Sequence, residues 1–433
     1  MVTRLSDSDT NFEAAFAALL AAKREVAEDV TASVRAIIDD VRRRGDAALI
    51  EYTARFDRLT LAAAGLRVTA DEIADAERHV STEARDALLL ARDRIEAFHR
   101  RQMPADDRYT DPIGVELGLR WTAVESVGLY VPGGTAAYPS SVLMNAVPAQ
   151  VAGVERIVMV TPTPDGRINP LVLVAARIAG IDEIYRVGGA QAVAALAHGT
   201  ATTAPVAKIM GPGNAYVAAA KRLVFGTVGI DLIAGPSEVL VVADADNDPE
   251  WVAADLLAQA EHDTAAQAIL VTDSADLADR VAAAVERQLK ALPRGGIAAA
   301  SWRDFGAIIV VRSLAGAMAL ANRIAPEHLE LAVAEPEALL IKVRNAGAVF
   351  LGRYTPEVIG DYVGGPNHVL PTARSARFSS GLSVFDFLKR TSLLRLGPDQ
   401  LRALAPAAIT LAEAEGLDAH ARSIAIRLNR SEP

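Results

Sequence analysis

Residues 127–134 read VGLYVPGG and carry the pattern that decides the fold: an apolar run from Val127 to Val131 stops at a proline and two glycines. The same order returns at residues 184–189 and 207–214, and a helical stretch follows each glycine turn. Repeated units of strand, glycine turn and helix predict right-handed crossovers and a parallel sheet that helices cover. In such sheets ligands bind at the carboxyl ends of the strands, where these turns lie.

A second α/β block begins near Gly235. A buried strand is predicted from Val239 to Val242, and Asp248-Pro249 predicts a helix start, because aspartate can cap a helix and proline fits its first position. Further strands are predicted at 268–271, 308–311 and 348–351. The chain before about residue 115 and after about Phe385 reads as mostly helical. Four regions result, and two of them are α/β.

Composition limits the class of protein. The 433 residues are too many for one ordinary core, and 51% hydrophobic with 23% charged residues is typical of a globular protein. A net charge of -10 argues against general nucleic-acid binding. Because the chain has no cysteine, any metal must be held by nitrogen and oxygen ligands. No secretory signal or membrane span is evident, so we expect a cytoplasmic protein that binds no membrane.

The three glycine turns are candidates for nucleotide binding. Glycine lets the backbone approach a phosphate, and the N-terminus of the next helix favours the anion. None of the turns is a GxGxxG fingerprint followed by an acidic residue about 20 positions on. Each turn alone therefore also fits an ordinary tight connection, and only the succession of three favours a nucleotide site.

Two pairs of polar residues could carry chemistry. Gln259 and His262 are three residues apart on one predicted helix, so both side chains could reach one metal ion. That segment alone fits a solvated helix end better. Glu327 and His328 follow a helix that Pro326 ends, and they offer two bases of different pKa for successive proton transfers. They fit a surface pair equally well.

Two further segments contain possible ligands. Residues 360–368 are predicted to form a glycine-rich loop after a buried strand, with Asp361 and His368 as candidate site residues. In residues 415–420, Gly416 is expected to end one helix and Asp418 to cap the next. His420 would then lie in a first helical turn, where the dipole favours the neutral, metal-binding imidazole. A capped surface helix explains the same residues.

Taken together, these segments closely resemble the histidinol dehydrogenase family, from about Val30 to Ile426. Their order and spacing are specific, although each segment alone is not. The resemblance is carried by Gly128 to Gly134, Gly188 to Ala192, Gly211 to Asn214, Gly235 to Glu238, Ala258 to His262, Pro326 to His328, Gly360 to His368 and Ala419 to Ala421.

The resemblance implies an activity and a set of site residues. The family oxidises L-histidinol through L-histidinaldehyde to L-histidine with two NAD, in the last steps of histidine biosynthesis. His328 would take the hydroxyl proton, and Glu327 would activate the water that hydrates the aldehyde. One zinc ion per subunit would be held by Gln259, His262, Asp361 and His420. The implied substrate contacts are these four ligands with Ser237, His328, His368 and Glu415, and the implied NAD contacts are Tyr130, Gln191 and Asn214.

The resemblance also implies an architecture. We expect two Rossmann-like parallel-sheet domains, of an incomplete dinucleotide-binding type, with small helical N- and C-terminal regions. The expected divisions are an N-terminal helical segment (1–25), a first α/β domain with the metal and catalytic residues (26–126 and 236–384), a second α/β domain on the NAD side (127–235) and a C-terminal helical region (385–433). The family is a homodimer in which the C-terminal region reaches the partner's site. Glu415 and His420 would then come from the other subunit.

Three alternatives remain open at this point. The nearest is a zinc- and NAD-dependent dehydrogenase with the same scaffold that oxidises another small polar alcohol. The second is a metal-dependent hydrolase, and the third is a non-catalytic metal-binding or scaffolding protein. The implied NAD contacts speak against the hydrolase, and the Glu327-His328 pair beside a complete ligand set speaks against the scaffold.

Overall fold

The structure, a computed structural model, describes residues 2–22, 30–133, 138–233 and 235–428. Gly134 of the first glycine turn and residues 23–29, at the expected end of the N-terminal segment, lie outside these ranges. The strands are β1 (Thr3–Ser6), β2 (Asp107–Thr110), β3 (Glu116–Ala123), β4 (Ser126–Tyr130), β5 (Arg156–Val160), β6 (Glu183–Tyr185), β7 (Lys208–Met210), β8 (Gly229–Ile230), β9 (Glu238–Ala243), β10 (Gln267–Thr272), β11 (Ala307–Val310), β12 (His328–Ala332), β13 (Ala348–Leu351) and β14 (Leu388–Arg395). The α-helices are α1 (Phe12–Ala21), α2 (Thr31–Arg44), α3 (Asp46–Phe56), α4 (Ala70–Glu77), α5 (Thr82–Arg100), α6 (Pro139–Val151), α7 (Pro170–Ile178), α8 (Gly189–His198), α9 (Ala215–Val224), α10 (Pro249–Ala260), α11 (Ala275–Gln288), α12 (Gly295–Phe305), α13 (Leu314–Ile324), α14 (Pro336–Leu340), α15 (Glu357–Tyr362), α16 (Pro398–Ala414) and α17 (Asp418–Leu428).

Two parallel sheets confirm the expected α/β class. The first has six strands in the order β1-β11-β10-β9-β12-β13, and the second has five in the order β6-β5-β4-β7-β8. All pairings within both sheets are parallel. Their central strands are buried because helices cover the two faces, which is why they read as apolar runs in the sequence. The helix predicted at Asp248-Pro249 begins there, and the Asp248 side chain accepts from the Glu250 N–H.

The N-terminal segment, expected to be helical, also contributes a strand. Residues Thr3–Ser6 pair with β11 at the edge of the six-stranded sheet, and only then does helix α1 follow. The strand is four residues long and half-exposed, so its sequence carries no apolar run. A pairing with residues about 300 positions further along the chain holds it in place, and local sequence does not reveal such a pairing.

The helices between residues 31 and 100 pack differently from the expected division, which grouped 26–126 with 236–384. Val34 and Ile38 of α2 share a core with Val160 and Leu196. Ile95 of α5 belongs to a core that is built on β4 and helices α6 and α7. These helices therefore cover the five-stranded sheet rather than the six-stranded one.

A third sheet is antiparallel and joins distant parts of the chain in the order β14-β3-β2. Leu388 lies opposite Ala123, and Arg395 lies opposite Glu116. The prediction that the chain is helical after about Phe385 is therefore wrong for β14, whereas α16 and α17 confirm it further on. The strand LKRTSLLR is mostly exposed and lacks a clear alternation, so its partner decides its conformation.

Hydrogen bonds link the strand ends at the crevice where a ligand would usually enter the six-stranded sheet. The strand order reverses between β9 and β12, and ligands usually bind at the carboxyl ends of the strands at such a point. There Asp244 Oδ2 accepts from the Ala334 N–H at 2.8 Å, and the Asn247 side chain donates to the Ala332 carbonyl at 2.6 Å. These bonds join the two strand ends.

None of the described helices is long and apolar enough to cross a membrane.

Candidate active site

The candidate catalytic residues lie at the opposite, amino-terminal edge of the same sheet. Strands β9 and β12 are neighbours in register, with His328 opposite Val239. Glu238 and His328 are therefore adjacent first residues of parallel strands, with Ser237 immediately before β9 and Glu327 immediately before β12. The strand beginning at His328 was not predicted, because HLELA alternates charged and apolar residues while being buried throughout.

A single hydrogen bond fixes the tautomer of His328. Its Nδ1 lies 3.0 Å from the carbonyl oxygen of Glu238. Because a carbonyl oxygen only accepts, Nδ1 carries the proton and donates it. The buried Nε2 makes no hydrogen bond within the described chain. Nε2 is therefore left as the basic nitrogen, as a general base requires.

Three carboxylates surround the His328 ring. Glu357 Oε2 lies 3.4 Å from Nδ1, Glu327 Oε2 lies 3.8 Å from the same atom, and Asp361 Oδ1 lies 3.7 Å from Nε2. Burial opposes protonation of the ring, but the carboxylates outweigh it and raise the pKa of His328 to about 10. The ring is consequently a strong base in a negative field.

Glu327 is held by the backbone of the neighbouring strand. Its Oε2 accepts from the Glu238 N–H at 2.8 Å. Glu327 is 5% exposed and His328 4% exposed, so the two residues are not a surface pair. Glu238 thus contacts both residues, through its N–H on one side and its carbonyl oxygen on the other.

Asp361 lies on a short helix rather than in the predicted glycine-rich loop. Helix α15 spans Glu357–Tyr362, and the strand before it, β13, is a half-buried edge strand rather than a buried one. The sequence prediction started the loop at Gly360. In the structure Gly360 lies within α15, and the loop begins at Val363. Burial opposes ionisation of Asp361, yet the imidazoles of His328, His368 and His262 hold its pKa below the usual value.

Gln259 and His262 lie at the end of helix α10. Gln259 is 1% exposed, whereas His262 follows the helix and is exposed to solvent. The His262 N–H donates to the Gln259 carbonyl at 3.2 Å, so one turn of backbone connects the two. Among the described residues, no group of three or more His, Cys, Asp or Glu side chains lies close enough to hold a metal ion.

His368 connects the two α/β units. Its Nδ1 donates to the Asp361 carbonyl at 2.9 Å, and its Nε2 lies 3.3 Å from the hydroxyl of Ser141 on helix α6. The first bond fixes the tautomer, so the hydroxyl donates to Nε2. Burial lowers the pKa of His368, although Asp361 acts in the opposite direction.

The structure does not bring Glu415 and His420 to this cluster within one chain. Glu415 follows helix α16, His420 lies in the first turn of α17, and both are exposed. Gly416 between them has φ 71°, a left-handed conformation that favours glycine at a helix end. Within the described ranges neither side chain forms a hydrogen bond or ion pair.

The candidate NAD contacts lie at the carboxyl edge of the five-stranded sheet. Tyr130 ends β4, is 4% exposed, and accepts through its hydroxyl from the Gly189 N–H at 3.0 Å. Burial raises the pKa of Tyr130 to about 12. Gln191 is 2% exposed in the first turn of α8, and its Oε1 has no hydrogen-bond partner in the described chain.

The third glycine turn is fixed by a buried ion pair. Asn214 caps helix α9, its side chain accepting from the N–H groups of Tyr216 and Val217. Gly211 has φ 105°, and a Cβ there would collide with the Tyr130 carbonyl. Asp231 accepts from the Gly211 N–H at 2.7 Å, and Lys221, which pairs with Asp231, donates to the Gly211 carbonyl at 2.9 Å.

Sequence reasoning did not single out five buried or half-buried charged residues that support these sites. Lys221 and Asp231 hold the third turn, and Glu357 lies beside His328. The spacing of Glu357 and Asp361, four residues apart, would have shown a shared helical face had a helix been predicted. The other two residues are Glu330 and Asp255, which lie behind Glu357.

Comparisons with known proteins agree along the whole chain. The family model described as histidinol dehydrogenase matches residues 20–428. A histidinol dehydrogenase from Bradyrhizobium diazoefficiens is 72% identical over 431 residues, and one from Rhizobium meliloti is 70% identical over 432; each alignment covers 100% of both chains. The crystal structure of histidinol dehydrogenase from Elizabethkingia anophelis is 38% identical, with a TM-score of 0.95, and the match covers 100% of this chain and 99% of that one. The chain therefore belongs to the histidinol dehydrogenase family.

Proposed function

We propose that the protein oxidises L-histidinol through L-histidinaldehyde to L-histidine, reducing two NAD, in the last steps of histidine biosynthesis. Membership of the family supports the reaction. The observation that carries the proposal is the state of His328: Nδ1 is fixed as a donor, while Nε2 is buried and accepts no hydrogen bond from the described residues. The other site residues then follow from what each step requires.

The first step needs a base. As the hydride leaves the carbinol carbon for NAD, the O–H bond breaks and its proton passes to Nε2 of His328. The C=O bond of the aldehyde forms at the same carbon. The negative surroundings of His328 favour the imidazolium that results.

The second step needs water at the aldehyde. Glu327 would take one proton from this water as its oxygen adds to the carbonyl carbon, and the imidazolium of His328 would return its proton to the carbonyl oxygen. The hydrate would then lose a second hydride to NAD while its O–H proton passes to the regenerated Nε2 of His328. The carboxylate of Glu327 is already oriented by the Glu238 N–H. Because a free amino-aldehyde would react with amines, both oxidations benefit from one enclosed site.

Zinc would be held by Gln259, His262 and Asp361 of one subunit together with His420 of the other. The fit of these residues is supported by their oxygen and nitrogen donors, by the convergence of α10 and α15, and by the charge interaction of His262 with Asp361. When bound, the ion would orient the substrate's imidazole and amine and polarise its oxygen. Substrate contacts from Ser237, His368 and Glu415 would complete the site.

NAD would bind along the carboxyl edge of the five-stranded sheet. Tyr130, Gln191 and Asn214 all lie at strand–turn–helix junctions of that edge. The unpaired Oε1 of Gln191 offers an acceptor to a ribose hydroxyl or an amide of the nucleotide. A phosphate would be favoured by the helix N-termini beside the turns.

A homodimer would supply the missing ligand. Glu415 and His420 are exposed, and helices α16 and α17 also expose Leu404, Leu411 and Ile426. An exposed apolar surface on a helix pair is typical of a protein interface. The two residues would then act in the partner's site, and the active unit would be a cytoplasmic dimer.

The first experiment measures NADH formed from a limiting amount of L-histidinol, with and without a chelator. Two NADH per alcohol, lost on chelation and restored by zinc, would support the four-electron reaction. One NADH per alcohol would show that the reaction ends at the aldehyde, and this result would contradict the role of Glu327. No NADH from zinc-loaded, folded dimer would reject histidinol as the substrate and turn attention to other small polar alcohols.

A further inference from the structure

Glu357 is a buried acid that the reaction described so far does not use. It is 1% exposed, and its Oε2 forms no hydrogen bond in the described part of the chain. The same oxygen lies 3.4 Å from Nδ1 of His328, on the side of the ring opposite Nε2. Among the described residues, this oxygen therefore pairs with the ring of the proposed base.

A second acid, Glu330, fixes the backbone of Glu357, and a third, Asp255, lies against Glu330. Glu330, two residues after His328 on the same strand face, accepts from the Glu357 N–H at 2.6 Å. The carboxyl group of Glu330 also contacts that of Asp255 on helix α10. Glu330 thereby connects β12, which begins with His328, to the helices that contain Gln259 and Asp361.

The cluster is unfavourable for stability. Burying carboxylates costs free energy, and grouping them adds repulsion unless one or more retain a proton. Burial raises the pKa of Asp255 to about 6 and also raises those of Glu357 and Glu330, whereas the imidazole of His328 opposes the rise at Glu357 and favours its carboxylate. Apolar residues of similar size would stabilise the same site, so the acids point to a functional role.

We propose that Glu357 is a positioning residue for His328: its carboxylate stabilises the imidazolium that forms when His328 takes a proton from the substrate. The inference rests on the proposed function. In this role Glu357 acts through the Nδ1 side of the ring rather than directly on substrate or NAD. The proton itself goes from the substrate oxygen to Nε2, so Glu357 neither gains nor loses one in the step.

The role predicts a specific kinetic pattern. The transition states of both hydride transfers develop positive charge on His328, so loss of the Glu357 charge should slow both oxidations. Glu357→Gln keeps the shape of the side chain but not its charge. We expect kcat to fall about 100-fold for the alcohol and the aldehyde alike, with the KM values for histidinol and NAD changed by less than about threefold.

The effect on stability distinguishes positioning from a structural role. Because Glu357→Gln removes a buried charge from a crowded cluster, its Tm should equal or exceed that of the wild type. Glu357→Asp keeps the charge at a greater distance and should recover part of the rate. Glu337→Gln, an exposed change on α14, serves as the matched control and should leave both rate and Tm unchanged.

The experiment compares wild type and the three variants as zinc-loaded full-length enzyme, recording kcat and KM with each substrate, Tm and bound zinc. A rate loss with Tm and zinc retained would support the inference. Wild-type rates in Glu357→Gln would overturn it. A rate loss that is accompanied by an equivalent loss of Tm or of bound zinc would overturn it as well. If the wild type oxidises histidinol, either result concerns Glu357 alone; if it does not, the proposed function and this inference both fail.

Discussion

Nδ1 of His328 donates to the carbonyl oxygen of Glu238 across 3.0 Å, between the first residues of two adjacent parallel strands. The bond sets which ring nitrogen is basic before any ligand arrives. The backbone N–H of the same Glu238 fixes Glu327, so one residue orients both proposed proton acceptors. The relative position of the two acceptors is thus determined by the strand register.

Glu327→Gln should separate the two half-reactions. The glutamine can still accept from the Glu238 N–H, so the backbone arrangement is preserved, but it cannot take a proton from water. We expect aldehyde oxidation to slow about 100-fold or more and alcohol oxidation by less than about fivefold. Single-turnover assays started from histidinol and from histidinaldehyde measure the two rates. Equal losses in both would show that Glu327 does not serve the hydration step.

Tyr130→Phe should weaken NAD binding without changing the chemical step. The substitution leaves the Gly189 N–H without its acceptor, at a cost of about 1–2 kcal/mol, and loosens the turn beside α8. We expect the KM for NAD to rise about tenfold while the KM for histidinol stays unchanged. With a pKa of about 12 the phenol stays neutral below pH 10, so this tyrosine gives NAD binding no pH dependence in that range. Unaltered NAD affinity in the variant would remove Tyr130 from the binding site.

The pH dependence of stability tests the acid cluster directly. Burial raises the pKa of Asp255 from 3.8 to about 6, so the folded state binds the proton more tightly than the unfolded chain. Stability from this group is therefore present below about pH 4 and is lost as the pH rises to about 6. Asp255→Asn should gain about 1–2 kcal/mol relative to the wild type between pH 4 and pH 7, allowing for partial exposure. Urea denaturation at both pH values measures it, and a difference that is constant with pH would contradict the raised pKa.

Much of the α/β fold is visible in the sequence because parallel strands buried on both faces leave apolar runs. The runs at 127–131 and 239–242, and the helix start at Asp248, are local signals that tertiary structure confirms. Strands β1 and β14 are different. They are exposed or at an edge, and partners more than 250 residues away determine them, so no local pattern predicts them.

For the candidate site, sequence motifs identified the proposed catalytic residues but not the buried acids that pack around them. Glu327 and His328 stand out as a polar pair after a proline, yet strand β12 at their position does not, since its alternation suggests a half-exposed strand or none. Glu357 and Glu330 resemble ordinary surface acids until the packing of α15 against α10 buries them. Burial is a property of the assembled fold, so these roles require the structure.

Lys221→Met should lower the free energy of unfolding of the domain that contains the five-stranded sheet. The variant would leave Asp231 buried without its cation, and removing one partner of a buried ion pair typically costs about 3–5 kcal/mol. The Gly211 and Leu232 carbonyls would also lose the ammonium donor. Urea denaturation should show the loss, with Lys290→Met, an exposed change, as the control. A stability within about 1 kcal/mol of the wild type would mean that the pair does not hold the turn.

Mixing two inactive variants tests whether the site spans two chains. His262→Asn and His420→Asn should each release zinc and abolish turnover, because each removes a proposed ligand. In a mixed dimer with shared sites, one site carries both substitutions and the other carries neither. Random reassociation of equal amounts makes half of the dimers mixed, so about a quarter of wild-type activity and zinc should return. If both histidines instead acted within one chain, every site would carry one substitution. The two variants are mixed, unfolded and refolded together, and each variant treated alone serves as the control. If both histidines act within one chain, this treatment restores no activity.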